Sequence, residues 1–98
     1  MQMVLIQKIR NYFSEQPVEK AWLFGSYSRN EETPLSDIDI LVSFTKNSEI
    51  TLIKYAHMVN ELKKLTGKKI DLVEKGQLKE FAKEMAEKEK ILIYERGR

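Results

Sequence analysis

The 98 residues contain no cysteine, which excludes disulfide staples, thiolate metal sites and cysteine nucleophiles together. Stability must come from packing alone. Proline occurs twice and glycine four times, and no linker, internal repeat or low-complexity tract is present. Long apolar runs are also missing. The stretch Met3 to Ile6 is broken by Gln7 and Lys8, so it is too short for a signal-peptide core or a membrane span. Neither sign of charge prevails: 17 Lys and Arg against 15 Asp and Glu leave a net +2. That balance points to neither nucleic acid nor acidic membrane as the partner. What remains is globular, with 42% hydrophobic and 33% charged residues in a length suited to one core. The expectation is a single soluble, cytoplasmic domain over residues 1–98.

Hydrophobic periodicity sets the elements. Leu5, Ile6, Ile9, Tyr12 and Phe13 recur at helical spacing, and Pro17 closes that segment. Val18 to Phe24 carries the unbroken apolar run Ala21, Trp22, Leu23 and Phe24 up to Gly25, as in a strand buried on both faces. Ser26 to Leu35 is polar, with a short helical turn expected around Glu31 and Glu32, and a second strand follows from Asp37 to Phe44. Ser48 then caps a helix whose face is marked by Leu52, Ile53, Ala56, Val59, Leu62 and Leu65, and Gly67 stops it. Lys69 to Val73 is a third strand. Leu78, Phe81, Ala82 and Met85 trace one side of a third helix, with a solvated Lys and Glu face between Lys79 and Lys90, and Ile91 to Tyr94 adds a last strand. This order predicts an α/β (α+β) fold, a small mixed sheet with helices packed on one face.

Candidate chemistry gathers on two strands. Successive side chains of a strand alternate between faces, so Asp37 and Asp39 share one face while Ile38, Ile40 and Val42 share the other. Two adjacent carboxylates repel, and a divalent cation is an economical compensation because hard oxygen ligands suit Mg²⁺. The plain alternative is that Asp37 opens a strand or caps a turn. Asp71 joins the pair if the third strand lies beside the second, and three carboxylates could then serve two metal ions. Gly25 and Ser26 directly follow the first strand, where a glycine lets backbone N–H groups approach a phosphate, or simply makes a turn. Arg29 can reach a triphosphate or remain solvated. His57, among Tyr55, Ala56 and Met58 of the second helix, reads as a packing or surface residue.

Taken together, the run GSYSRNEETPLSDIDILV resembles the signature of the nucleotidyltransferase superfamily related to DNA polymerase β, in its minimal form, and KKIDLV resembles the strand bearing its third carboxylate. The likeness spans Ala21 to Val73. It implies a polymerase β palm-like fold and nucleotide-phosphate contacts at Gly25 and Ser26. It also implies Mg²⁺ binding with the triphosphate at Asp37 and Asp39, and completion of the metal site, with activation of the acceptor hydroxyl, at Asp71. Minimal members often carry glycine just after the arginine, where this chain has Asn30, a residue that tolerates left-handed backbone angles. The implied reaction is attack of an acceptor oxygen on the α-phosphate of a nucleoside triphosphate, with release of pyrophosphate.

The short chain leaves the acceptor to come from elsewhere. Stand-alone minimal members resemble the antitoxin halves of toxin-antitoxin modules, whose partner is a small helical HEPN ribonuclease. The resemblance therefore implies transfer of AMP from ATP to a tyrosine of such a toxin. Two rivals stay open: a non-catalytic binding module that neutralises its partner by complex formation, and an antibiotic nucleotidyltransferase that needs a separate acceptor-binding subunit.

Overall fold

The computed structural model describes residues 3–78 and 80–97, without the side chains of residues 80–82 and 85, so the expected positions of Lys79, Phe81, Ala82 and Met85 lie outside that description. The elements follow in the order α1 (Met3–Ser14), β1 (Val18–Phe24), a 3-10 turn (Gly25–Tyr27), β2 (Ile38–Phe44), α2 (Leu52–Thr66), β3 (Ile70–Glu74), a second 3-10 turn (Lys75–Gln77), α3 (Glu80–Glu89) and β4 (Ile91–Glu95). Strand order is β3-β2-β1-β4. β1 pairs antiparallel with both β2 and β4, whereas β2 and β3 are parallel, so the sheet is mixed. Parallel neighbours need a crossover, and α2 provides it.

The alternation of β1 and β2 divides the apolar residues between two faces. Ala21, Leu23, Ile38, Ile40 and Val42 meet Ile9 and Phe13 of α1 and Met58 and Leu62 of α2 in the main core. Burying a side chain such as Phe13 or Ile40 contributes ~1.5–3 kcal/mol relative to leaving it in water. Trp22 and Leu41 point to the opposite face, where Ala86 of α3 packs on them beside Phe24, Val73 and Leu78. The helical layer expected over one face is thus formed by α1 and α2, and α3 covers part of the other, because a bulky Trp22 and Leu41 there also need shelter. Lys75 and Lys90 both stand 4.8 Å from the centre of the Trp22 ring, with Glu87 bonded to Lys90 at 2.8 Å. The edge strand β4 is tied back through Arg10, whose Nε donates to the Ile93 carbonyl, and Arg96, whose Nε donates to the Val18 carbonyl at 3.0 Å.

Several local expectations are corrected. α2 is capped by Thr51, whose Oγ1 accepts from Lys54 N at 3.1 Å, while Ser48 donates its hydroxyl to the Thr45 carbonyl in the preceding turn. The buried face of α2 carries Met58 and Leu62, flanked by Tyr55 and Val59. Leu52 and Ile53 are 87% and 84% exposed, and Ala56 is exposed as well. At about 100° per residue, Ile53 and Ala56 stand about 170° and about 110° from the midline of that face. They continue the apolar composition without sharing the buried side. The helical turn expected at Glu31 and Glu32 forms at Gly25–Tyr27 instead, where buried Tyr27 anchors it in the core. β2 begins at Ile38, leaving Asp37 just outside, and β3 runs one residue later than expected. Gly67 ends α2 in the left-handed region, φ +68°, as its position predicted.

Candidate active site

The catalytic candidates meet at one end of the sheet because three chain segments converge there. β1 ends at Phe24, which pairs with Asp39 across the antiparallel ladder. Asp39 in turn pairs with Asp71 across the parallel ladder. Asp71 therefore does join Asp39, as the alternation required once β2 and β3 proved to be neighbours. Asp37 lies two residues before Asp39 in the approach to β2, and Ile38 N, donating to the Lys69 carbonyl at 2.9 Å, clamps that approach to the chain entering β3.

Gly25 has φ +69°, a conformation that disfavours any side chain. A Cβ at this position would collide with Asp39 Oδ2 and stand 3.2 Å from its Cγ. The glycine thus admits the Asp39 carboxylate against the start of the turn, next to Ser26. The turn itself is held by Ser28 Oγ donating to the Gly25 carbonyl at 2.7 Å and by Glu31 N donating to the Ser26 carbonyl at 2.9 Å. Asn30 adopts φ +56°, so it occupies the left-handed position that a glycine would otherwise fill.

Electrostatics single out Asp39. Burial, then the charges of Asp71 and Asp37 and a hydrogen bond with Asp71, push its carboxyl up to about 6, while Arg29 opposes the shift. Arg29 is engaged by two carboxylates, Glu31 through its Nε and Glu89 of α3 at 2.8 Å from its Nη1. The Tyr55 phenol, held in the core wall by α2, is also raised, by burial and then by Asp71 and Glu74. Neither Tyr55 nor Glu89 was expected at the site. Glu89 is separated from Arg29 by 60 positions, and nothing in a charge-rich helix distinguishes that glutamate from its neighbours. His57 is exposed on α2, with Nε2 3.9 Å from Glu61, and takes no part.

An acidic cluster whose half-buried member, Asp39, has a raised pKa suits a hard divalent cation, since a bound positive charge would relieve the repulsion. Among the described residues no three acidic or histidine side chains converge as a ready-made metal cage. The donor chemistry fits; Asp39 and Asp71 form its centre, and Asp37 stands beside them. Further along the same sheet face, past Leu41 and Ser43, a cavity of about 550 Å³ opens under α3. It contains none of these carboxylates. Among the described residues, no helix is long and apolar enough to cross a membrane.

Comparison with known proteins identifies the family. The nucleotidyltransferase domain family matches residues 6–93. A Methanocaldococcus jannaschii chain provisionally named protein adenylyltransferase MJ0128 is 36% identical over 91 residues, 91% of each chain. Protein adenylyltransferase MntA of Thermococcus cleftensis is 40% identical over 62 residues, 63% of this chain and 61% of that one. Among solved structures, a toxin-antitoxin complex with AMP-PNP contains a chain that superposes with TM-score 0.77 at 21% identity, covering 92% of this chain and 73% of that one. A tri-AMPylated Shewanella oneidensis HEPN toxin in complex with MNT antitoxin gives TM-score 0.72 at 21% identity, over 97% and 73% of the two chains. The fold, the Gly25-Ser26 turn facing paired aspartates, and the match over most of its length agree: this chain belongs to the nucleotidyltransferase domain family, as a minimal nucleotidyltransferase.

Proposed function

We propose that this single domain transfers a nucleoside monophosphate, AMP from ATP, to the hydroxyl of a tyrosine on a helical HEPN-type partner protein in the cytoplasm, and thereby acts as that partner's antitoxin. The observation that carries the reading is the pairing of Asp39 with Asp71 on adjacent parallel strands, against a glycine turn whose first residue makes room for the Asp39 carboxylate. The relatives named as protein adenylyltransferases supply the reaction class, and the toxin-antitoxin neighbours supply the kind of partner.

In this reading Gly25 and Ser26 present backbone N–H groups to the triphosphate, and Arg29 exchanges one of its two carboxylates for phosphate oxygens. Asp37, Asp39 and Asp71 would hold Mg²⁺, two ions in a full site. Bound there, the metal supplies charge neutralisation for the phosphates. Asp71, the more exposed of the register pair, faces the acceptor and orients the attacking hydroxyl. Asp39, raised to about 6, is already mostly a carboxylate at neutral pH, and a bound cation would favour that form further. The bond formed joins the tyrosine oxygen to the α-phosphorus; the bond broken frees pyrophosphate, and the phenolic proton leaves to solvent. Positioning and charge neutralisation supply most of the acceleration.

The test is intact-mass spectrometry of the protein encoded beside this chain, after incubation with it, Mg²⁺ and all four ribonucleoside triphosphates, against a D37N/D39N control. A mass gain of one or more nucleoside monophosphates, absent in the control, supports transfer and identifies the nucleotide. Co-purification without any gain would replace it with neutralisation by binding alone.

A further inference from the structure

Two residues before Asp37, the chain does something costly with a leucine. Leu35 is 93% exposed, more than any other large hydrophobic side chain described. A single exposed leucine is ordinary on a mobile loop, but this one sits at the third position of a tight turn. Ser36 N donates to the Thr33 carbonyl at 3.0 Å, Thr33 N donates to Ser36 Oγ at 2.9 Å, and Leu35 N donates to Thr33 Oγ1 at 3.3 Å. Pro34 presets the turn's second position. The side chain is therefore held out toward water by a pre-ordered backbone, and a partner that covers it has little ordering left to impose.

Leu35 lies two residues before Asp37, in the segment that leads into β2 and Asp39. A free nucleotide or a small hydrophilic acceptor would gain nothing from burying such a side chain, whereas a folded protein with an apolar surface around its reactive hydroxyl would.

We propose that Leu35 is a specificity-determining anchor for the acceptor protein, buried on docking beside the transfer site and contributing to acceptor recognition without touching the reacting atoms. This rests on the reading of the chain as a transferase acting on a protein. A few pre-ordered contacts dominate many interfaces.

Steady-state transfer to the partner protein, followed by mass spectrometry, tests it with L35D and L35S, and with I53D as a control for another exposed apolar side chain, on α2. Expected is a rise of about tenfold or more in KM for the acceptor protein with L35D, and a smaller rise with L35S. KM for the nucleotide, kcat at saturating acceptor and Tm should hold, and I53D should behave as the unaltered chain. An unchanged acceptor KM in L35D overturns the proposal, as does a loss confined to I53D or a parallel rise in nucleotide KM. If the unaltered chain modifies no partner at all, the transferase reading fails first, and the docking role falls with it.

Discussion

The Asp39 carboxylate occupies the space that a side chain on Gly25 would need, so the turn that ends β1 and the central acid of β2 are sterically interlocked. Replacing Gly25 by Ala should force the carboxylate aside and strain a backbone held at φ +69°. Transfer activity should fall about 100-fold, the scale expected when a catalytic group is displaced by about an ångström. Left-handed strain should cost ~1–2 kcal/mol of stability. Activity that survives G25A with unchanged kcat would show that the Asp39 position is not critical.

Asp39 also makes stability depend on pH. Its folded carboxyl titrates near 6, against roughly 3.9 in an unfolded chain. Between these values the folded state binds more protons, so stability falls as pH rises through the window and stays lower above it. Asp39→Asn removes this term. In EDTA, its Tm advantage over the unaltered chain should be absent near pH 4 and should grow to a plateau above pH 6.5. After discounting for partial exposure, about 1 kcal/mol is expected, or roughly 4–8 °C for a domain of this size. A flat Tm difference across this range would contradict the shifted titration.

Divalent cation should reverse that penalty. With Mg²⁺ at 100 times its dissociation constant, binding to the folded state alone is worth about 2.7 kcal/mol. Thermal unfolding of the unaltered chain should therefore move upward on titration with Mg²⁺, while D37N/D39N should not respond. Equal responses would locate the metal elsewhere.

Much of this arrangement is legible in the residues, and the exceptions have physical causes. Val18 to Phe24 reads as a strand to the residue because its apolar run is bounded by Pro17 and Gly25. The split of Asp39 from Ile38, Ile40 and Val42 follows from strand geometry, whereas Asp37 lies just before the strand and outside that alternation. That Asp71 stands opposite Asp39 depends on a non-local pairing, which local pattern can suggest but not fix. Leu52, Ile53 and Ala56 are apolar yet exposed on α2, since apolar composition marks a helix without saying which stripe is covered. The fit of Asp39 against Gly25 leaves no trace in spacing at all, because it depends on side-chain packing between strands.

The cap of α2 offers a direct check on one such correction. Thr51→Ala removes the acceptor for Lys54 N and should cost ~1 kcal/mol. Ser48→Ala loses only a turn hydrogen bond and should stay within ~0.5 kcal/mol. Reversal of that order in chemical denaturation would restore Ser48 as the cap.

Asn30 provides a comparison of the opposite kind. At φ +56° it already pays part of the left-handed cost. Asn30→Gly should leave activity intact and stability unchanged or slightly higher, whereas a β-branched Asn30→Val should lose ~1–2 kcal/mol. Equal melting temperatures for the two would argue against the left-handed turn.

The parallel union of β2 with β3 also governs when the protein can first become active. Asp39 and Asp71 come from opposite sides of the α2 crossover, and such distant pairings form only after the loop-closure entropy has been overcome. A nascent chain that has completed the β1-β2 hairpin has its glycine turn and two of its acids, but not yet Asp71 beside Asp39. Catalytic competence must therefore arrive late in folding and depart early in unfolding, so loss of transfer should precede loss of the hairpin whenever the domain is stressed.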